Sequence, residues 1–135
     1  KKYFSNISSR CHSGDIFIFD CWNAVAAMRD PPAFSYRERY TEENTKIITS
    51  CTPKSDLMNS SVQMINSVEI YKNDSLFDKF EYVLDHTLWS PRILRELLEA
   101  KGFEVLRAFK PYDANSPITP DDYKIVYVCE KRGGV

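Results

Sequence analysis

The chain has 135 residues, 43% of them apolar and 27% charged, with a formal net charge of −1. That length suits one domain, the balance is that of a globular protein rather than a disordered tail, and the near-zero charge supplies no basic field for a phosphate backbone, so no nucleic acid is expected as a partner. No apolar run approaches the roughly 20 residues of a membrane span, and the start Lys1-Lys2-Tyr3-Phe4 leads into polar residues rather than an apolar signal region; no membrane partner and a cytoplasmic location are expected.

Tyr3, Phe4 and Ile7 stand at helical spacing, so the chain opens in the turns of a helix. Ser13-Gly14-Asp15 stops it. Ile16 to Cys21 then reads as a strand that does not alternate, as a strand buried on both faces would not. Residues 24 to 29 fit one short helical turn, ended by Asp30-Pro31-Pro32 because a residue before proline avoids helical geometry. Four strands follow: Phe34 to Tyr40, Thr45 to Thr52, Ser61 to Lys72 and Leu76 to His86. In the third, Val62, Met64, Val68 and Ile70 share a face; in the fourth, Leu76, Phe80, Tyr82 and Leu84 do, opposite Lys79, Glu81 and Asp85. Period-two alternation argues a half-exposed antiparallel sheet, and Asn73-Asp74 suits the hairpin turn between these two strands.

One clear helix comes next. Ser90 is a good N-cap and Pro91 suits the first helical position; Ile93, Leu94, Leu97 and Leu98 form the apolar face, and Gly102 the stop. A strand, Phe103 to Phe109, a loop holding Pro111, Pro117 and Pro120, and a last strand, Tyr123 to Cys129, complete the chain. The four cysteines (11, 21, 51 and 129) form no C-x-x-C pair and the two histidines do not join them, so no metal site is expected and the thiols read as buried and reduced.

Three stretches carry a resemblance. "SGDIFIFDCWN" resembles the glycine turn and fifth strand of class I S-adenosylmethionine-dependent methyltransferases, "SPRILRELLEAKGFEVL" their last helix and sixth strand, and "DDYKIVYVCEKR" their closing seventh strand. The resemblance implies an α/β fold: the C-terminal part of a Rossmann-like seven-stranded sheet, with residues 1–135 as a partial methyltransferase domain and 34–88 as an inserted antiparallel sheet capping the acceptor. It also implies a sheet order of 16–21, 123–129, 103–109, with the last strand antiparallel between the other two. The four glycines provide no Gly-rich turn after a strand, so the cofactor-binding half is expected to lie outside this chain, and the chain to be a fragment.

Methyl transfer asks little of the protein beyond holding an acceptor in line, excluding water and, for a protonated amine or a hydroxyl, removing a proton. Ligands of open α/β sheets bind beyond the carboxyl ends of the strands. By the resemblance, Asp20, Trp22 and Asn23 stand at that mouth: Asp20 toward S-adenosyl-L-methionine, Trp22 as a wall of the acceptor pocket or else a core residue or subunit contact, Asn23 as a hydrogen-bonding group or a turn residue. His86, ending an alternating strand, is a candidate base or a structural histidine. Glu69 and Tyr71 share a strand face and are candidates for acceptor binding, or a solvated face; Arg37-Glu38-Arg39 reads as surface. The function implied is methyl transfer to a small-molecule acceptor, with amino sugars and amino acids as acceptors of methyltransferases with such inserts, and with a homo-oligomer or association with the missing N-terminal half. Two other readings stand beside it: a non-enzymatic α+β ligand-binding or dimerisation module, and an inactive remnant that only binds a partner chain.

Overall fold

The computed structural model describes residues 2–133. The chain divides into two compact units, one made of the residues up to Arg29 together with those from Leu88 onward, the other of Asp30–Thr87.

The first unit contains α1 (Lys2–Ser8), β1 (Ile16–Trp22) and α2 (Ala24–Arg29), and later in the chain a third helix and two more strands. Its sheet has the order expected from the sequence, with the last strand antiparallel between the other two: Phe17 of β1 lies opposite Cys129, and Val105 of the sixth strand lies on the other side of Cys129. One face of this sheet carries the core, in which Phe4 packs with Leu94, Leu98, Phe103, Ile125, Tyr127 and Cys129. Phe17 and Phe19 stack at 4.9 Å and Phe19 stacks on Tyr127 at 5.4 Å.

That face corrects one expectation. β1 is not buried on both faces: Ile16 and Ile18, which alternate with the two phenylalanines, are 55% and 61% exposed. The cause is the period of two, which sends Phe17 and Phe19 toward the core cluster while the adjacent positions point away from it.

The second unit holds four strands. These are β2 (Ser35–Thr41), β3 (Thr45–Asp56), β4 (Ser61–Lys72) and β5 (Ser75–Thr87), an antiparallel meander in the order β2-β3-β4-β5. Asn73 and Asp74 join β4 to β5 with φ of 48° and 64°, the paired left-handed geometry of a two-residue hairpin that Asn and Asp tolerate. β3 runs past the expected end at Thr52 and through Pro53. The pairing of β2 begins at Ser35 opposite Cys51, so beyond Cys51 one side of β3 is an edge, where a proline without an N–H is tolerated.

A bulge in β5 corrects a second expectation. Asp78 pairs with Ile70 but Leu76 pairs with Tyr71, leaving Phe77 as the extra residue. The bulge shifts Leu76 off the face of Phe80, Tyr82 and Leu84 and onto that of Tyr71. The remaining residues of β5 are exposed on both faces except half-buried His86.

α3 (Pro91–Ala100) follows, with the Ser90 hydroxyl accepting from the N–H of Ile93 and Pro91 at its start. Leu94 and Leu98 are wholly buried and Leu97 half-buried, but Ile93 is 52% exposed, because it lies at the rim of the apolar stripe rather than at its centre. Gly102, at φ 80°, closes the helix, its N–H donating to the carbonyl of Glu99 at 2.9 Å. β6 (Phe103–Phe109) bulges at Leu106, and β7 (Lys124–Lys131) is the central strand. Among the described residues no helix is long and apolar enough to cross a membrane, and no cluster of three or more His, Cys, Asp or Glu forms a metal-holding group.

Candidate functional site

In the first unit, the chain order β1–Asn23–α2 makes the carboxyl end of β1 the start of a helix. Asp20 is exposed on β1 opposite Val126. Trp22 is half-buried and meets Tyr123 edge-on at 6.0 Å between ring centres. Asn23 is 2% exposed. Its Oδ1 accepts from the N–H of Val25 at 3.1 Å, its carbonyl accepts from the N–H of Ala27, and its Nδ2 donates to the carbonyl of Asp122 at 3.0 Å. This amide caps α2 and ties it to the loop before β7.

The proline-bearing loop is knotted at the same place. Asp122 accepts from both the N–H (2.7 Å) and the hydroxyl (2.9 Å) of Thr119 and pairs with Lys110 at 3.5 Å. The N–H of Thr119, ahead of its hydroxyl and Lys110, holds the Asp122 carboxyl below its ordinary range. Arg29 at the end of α2 pairs with Asp121 at 3.1 Å. Sequence reading passed over this knot; its signal is the short-range Thr-x-x-Asp pattern of "TPDD", which is a turn motif in many loops.

In the second unit, Glu69 and Tyr71 are brought together as their shared face requires. The Tyr71 hydroxyl donates to Glu69 at 2.8 Å, Lys79 pairs with Glu69 at 3.3 Å, and the Lys46 ammonium lies 5.0 Å from the centre of the Tyr71 ring. The Tyr71 hydroxyl is the largest cause holding the Glu69 carboxyl below its usual value, and the same bond raises Tyr71. Glu38, read from the sequence as surface, repeats the arrangement on β2. It accepts from Tyr36 at 2.6 Å and from Tyr40 at 3.3 Å, which lowers Glu38 and pushes Tyr36 up to about 12. A hollow of about 330 Å³, lined by Tyr40, Asn44, Lys46, Tyr71, Asn73 and Asp74, opens beside this patch. Only the pairing of β2 with β3 and of β3 with β4 aligns Glu38, Ile48 and Glu69 in one row.

His86 is not part of that patch. It lies opposite Val62, whereas Glu69 lies opposite Lys79. The seven residue steps from Val62 to Glu69 span about 23 Å, and this odd spacing puts His86 and Glu69 on opposite faces of the sheet.

The fold is similar to that of S-adenosylmethionine-dependent methyltransferases, over about half the length of those chains. The likeness to such an enzyme from Clostridium acetobutylicum has a TM-score of 0.77 at 16% identity and covers 98% of this chain and 50% of that one. For CalS10, the amino pentose methyltransferase of Micromonospora echinaspora solved with S-adenosylmethionine bound, the TM-score is 0.65 at 11% identity, over 95% and 48% of the two chains. For KedS8, a sugar N-methyltransferase from a Streptoalloteichus species, it is 0.64 at 13% identity, over 96% and 47%. At such identities the likeness is one of fold. No protein-family model matches the sequence, and no curated protein matches it.

Proposed function

We propose that this chain is the C-terminal, acceptor-side portion of a class I methyltransferase that moves a methyl group from S-adenosyl-L-methionine to a small-molecule acceptor. The reading rests on one observation above all: a β1-β7-β6 sheet with a central antiparallel last strand, in a chain whose fold is similar over nearly its whole length to half of several such enzymes. In this reading β1, β6 and β7 are the fifth, sixth and seventh strands of the family's sheet, and residues 34–88 are the insert that caps the acceptor. The acceptor is an amine- or hydroxyl-bearing molecule of the sugar or amino-acid kind; two neighbours named above are a sugar and an amino pentose enzyme. The protein works in the cytoplasm, as a homo-oligomer or joined to the cofactor-binding half.

The cofactor brings the electrophilic methyl group. In this chain only Asp20, an exposed acid at the strand end, fits a cofactor contact, since the four glycines form no Gly-rich turn after a strand. Trp22 walls the acceptor and excludes water from it. Asn23 holds the strand end, α2 and the proline-bearing loop together, and so positions that wall. Two alternatives stand for the acceptor's other contacts: His86 as the base that removes its proton, or Glu69 with Tyr71 binding its hydroxyl or ammonium. Because about 23 Å and the sheet separate them, His86 and the Glu69–Tyr71 pair do not serve one molecule in one copy of the unit. His86→Asn and Glu69→Gln in the parent enzyme therefore decide which of the two faces the acceptor.

The test is calorimetry with S-adenosylmethionine on two proteins. The 135-residue chain alone should show no binding, and the chain joined to its parent's remaining sequence should bind and transfer radiolabelled methyl groups to amines or alcohols. Micromolar binding by the chain alone would contradict the fragment reading, and no binding by the joined protein would contradict the methyltransferase reading.

A further inference from the structure

The turn that opens the proline-bearing loop breaks the rule of its own geometry. The N–H of Asp113 donates to the carbonyl of Lys110 at 3.1 Å, closing a turn in which Pro111 is second and Tyr112 third. Tyr112 has a φ of 64°. Proline second and a positive φ third make a type II turn, whose third position calls for glycine or asparagine. Among the described residues the other non-glycine positions with positive φ are Asn44, Ser60, Asn73 and Asp74, all small and polar. Tyr112 is the bulky one, at a φ where an L side chain crowds its own backbone.

Nothing within the chain offsets that strain. The Tyr112 side chain is fully exposed, so it covers no core. Its neighbours hold the turn without it. The Asp113 carboxylate accepts from the N–H of Asn115 at 3.3 Å and from the Ser116 hydroxyl, and the Arg107 guanidinium donates to the Ala114 carbonyl at 2.6 Å. A local rule broken with no internal compensation is the mark of a functional position.

The place of the turn says what it meets. β7 runs antiparallel to both β6 and β1, so the loop that leaves β6 lies at the same end of the sheet as Trp22 and Asn23. Lys110, the first residue of the turn, pairs with Asp122 at 3.5 Å, and the carbonyl of Asp122 accepts from the Asn23 amide. β6 stands two strand spacings, about 10 Å, from β1. Between a phenol at the end of β6 and the indole at the end of β1, that is about the width of one stacked ring.

We propose that Tyr112 is a second wall of the acceptor site, and that the acceptor carries a ring that stacks on its phenol opposite Trp22. This deepens the acceptor reading above and rests on it. The turn fixes the backbone beneath the phenol before the acceptor arrives, which lowers the ordering cost of binding.

The experiment compares Tyr112→Gly and Tyr112→Phe in the parent enzyme, with glucosamine and cyclohexylamine as ring-bearing probes and hexylamine as the open-chain one. The wild type should methylate a ring-bearing probe in preference to hexylamine. Tyr112→Gly should raise the KM of that probe about tenfold with kcat within about threefold, erase the preference, and leave the KM of S-adenosylmethionine unchanged. Tyr112→Phe keeps the ring and should stay within about threefold of the wild type. In urea denaturation of the 135-residue chain, Tyr112→Gly should raise the folding constant roughly two- to fivefold, because the strain it removes exceeds the entropy that glycine loses. A residue that only shaped the turn would not trade acceptor affinity for stability in this way. An acceptor KM unmoved by Tyr112→Gly, a Tyr112→Phe as weak as Tyr112→Gly, a shift in the S-adenosylmethionine KM instead, or a Tyr112→Gly chain less stable than the wild type overturns the proposal and leaves the methyltransferase reading standing. A wild type that prefers hexylamine, or binds S-adenosylmethionine but methylates no ring-bearing probe, overturns the ring-stacking acceptor alone. A parent enzyme that does not bind S-adenosylmethionine overturns the proposal and the reading together.

Discussion

Replacing Gly102 with alanine tests how the carboxyl end of α3 is closed. Gly102 has a φ of 80°, where a side chain on an L-residue costs roughly 1–2 kcal/mol. An added Cβ would also lie 2.5 Å from the Lys131 Nζ. The ammonium has to move, leaving the Ser8 hydroxyl at 3.0 Å and the Lys101 carbonyl at 3.2 Å, to which it now donates. It also leaves its place 5.5 Å from the centre of the Phe103 ring. The site is half-buried, so water replaces part of what is lost, and the hydrogen bonds contribute about 1–2 kcal/mol. The total of about 2–4 kcal/mol is large against the roughly 5–15 kcal/mol that holds a domain. Gly14 supplies the control: its φ is 91°, but no atom lies within 4 Å of an added Cβ, so Gly14→Ala should cost only the roughly 1–2 kcal/mol of strain. Urea denaturation followed by tryptophan fluorescence measures both, and Lys131→Met completes a double-mutant cycle. If Gly102→Ala costs no more than Gly14→Ala, or keeps its full cost in the Lys131→Met background, the ammonium is not what the side chain displaces and the reasoning fails.

Leu94→Ala, in the wholly buried face of α3, should destabilise by about 2–5 kcal/mol, and Ile93→Ala by less than about 1 kcal/mol; equal losses in the same urea experiment would mean that the helix faces are misassigned. Asn23→Ala removes a cap and leaves the Asp122 carbonyl without this donor, and should cost about 1–3 kcal/mol and raise proteolysis within the proline-bearing loop; an unchanged cleavage pattern would separate that loop from Asn23. Burial pushes the Cys129 thiol from 9.0 up to about 11. The unfolded thiol loses its proton first, so its share of stability is intact below about pH 9 and falls as pH rises toward 11, by up to about 1.4 kcal/mol per unit. Cys129→Ala should flatten that alkaline slope, and a slope unchanged by the substitution would place its origin elsewhere.

Much of the architecture was legible because its signals are local. Ser90 and Pro91 start α3 and Gly102 ends it through backbone geometry that neighbours hardly influence. Asn73-Asp74 makes its hairpin because both residues accept left-handed φ. Alternation placed Glu69 beside Tyr71, which then bond to each other. Ile93 belongs to the apolar face by spacing, but a helical stripe has a width that spacing alone does not limit; its position at the rim depends on what α3 meets.

The amino-acid sequence by itself determined where the strands, helices and turns lie, because caps, turn residues and periodicity act over a few neighbouring positions. Only the tertiary structure decided which residues face each other across strands. Register aligned Glu38 with Glu69 across Ile48, and one extra residue at Phe77 moved Leu76 to the other face. It also decided that Asn23 is spent on Val25 and Asp122, that His86 stands far from Tyr71, and that β1 has one covered face rather than two. Each of these depends on residues distant in the chain, whose pairing is set by the competition of whole strands for partners and not by the local pattern of any one of them.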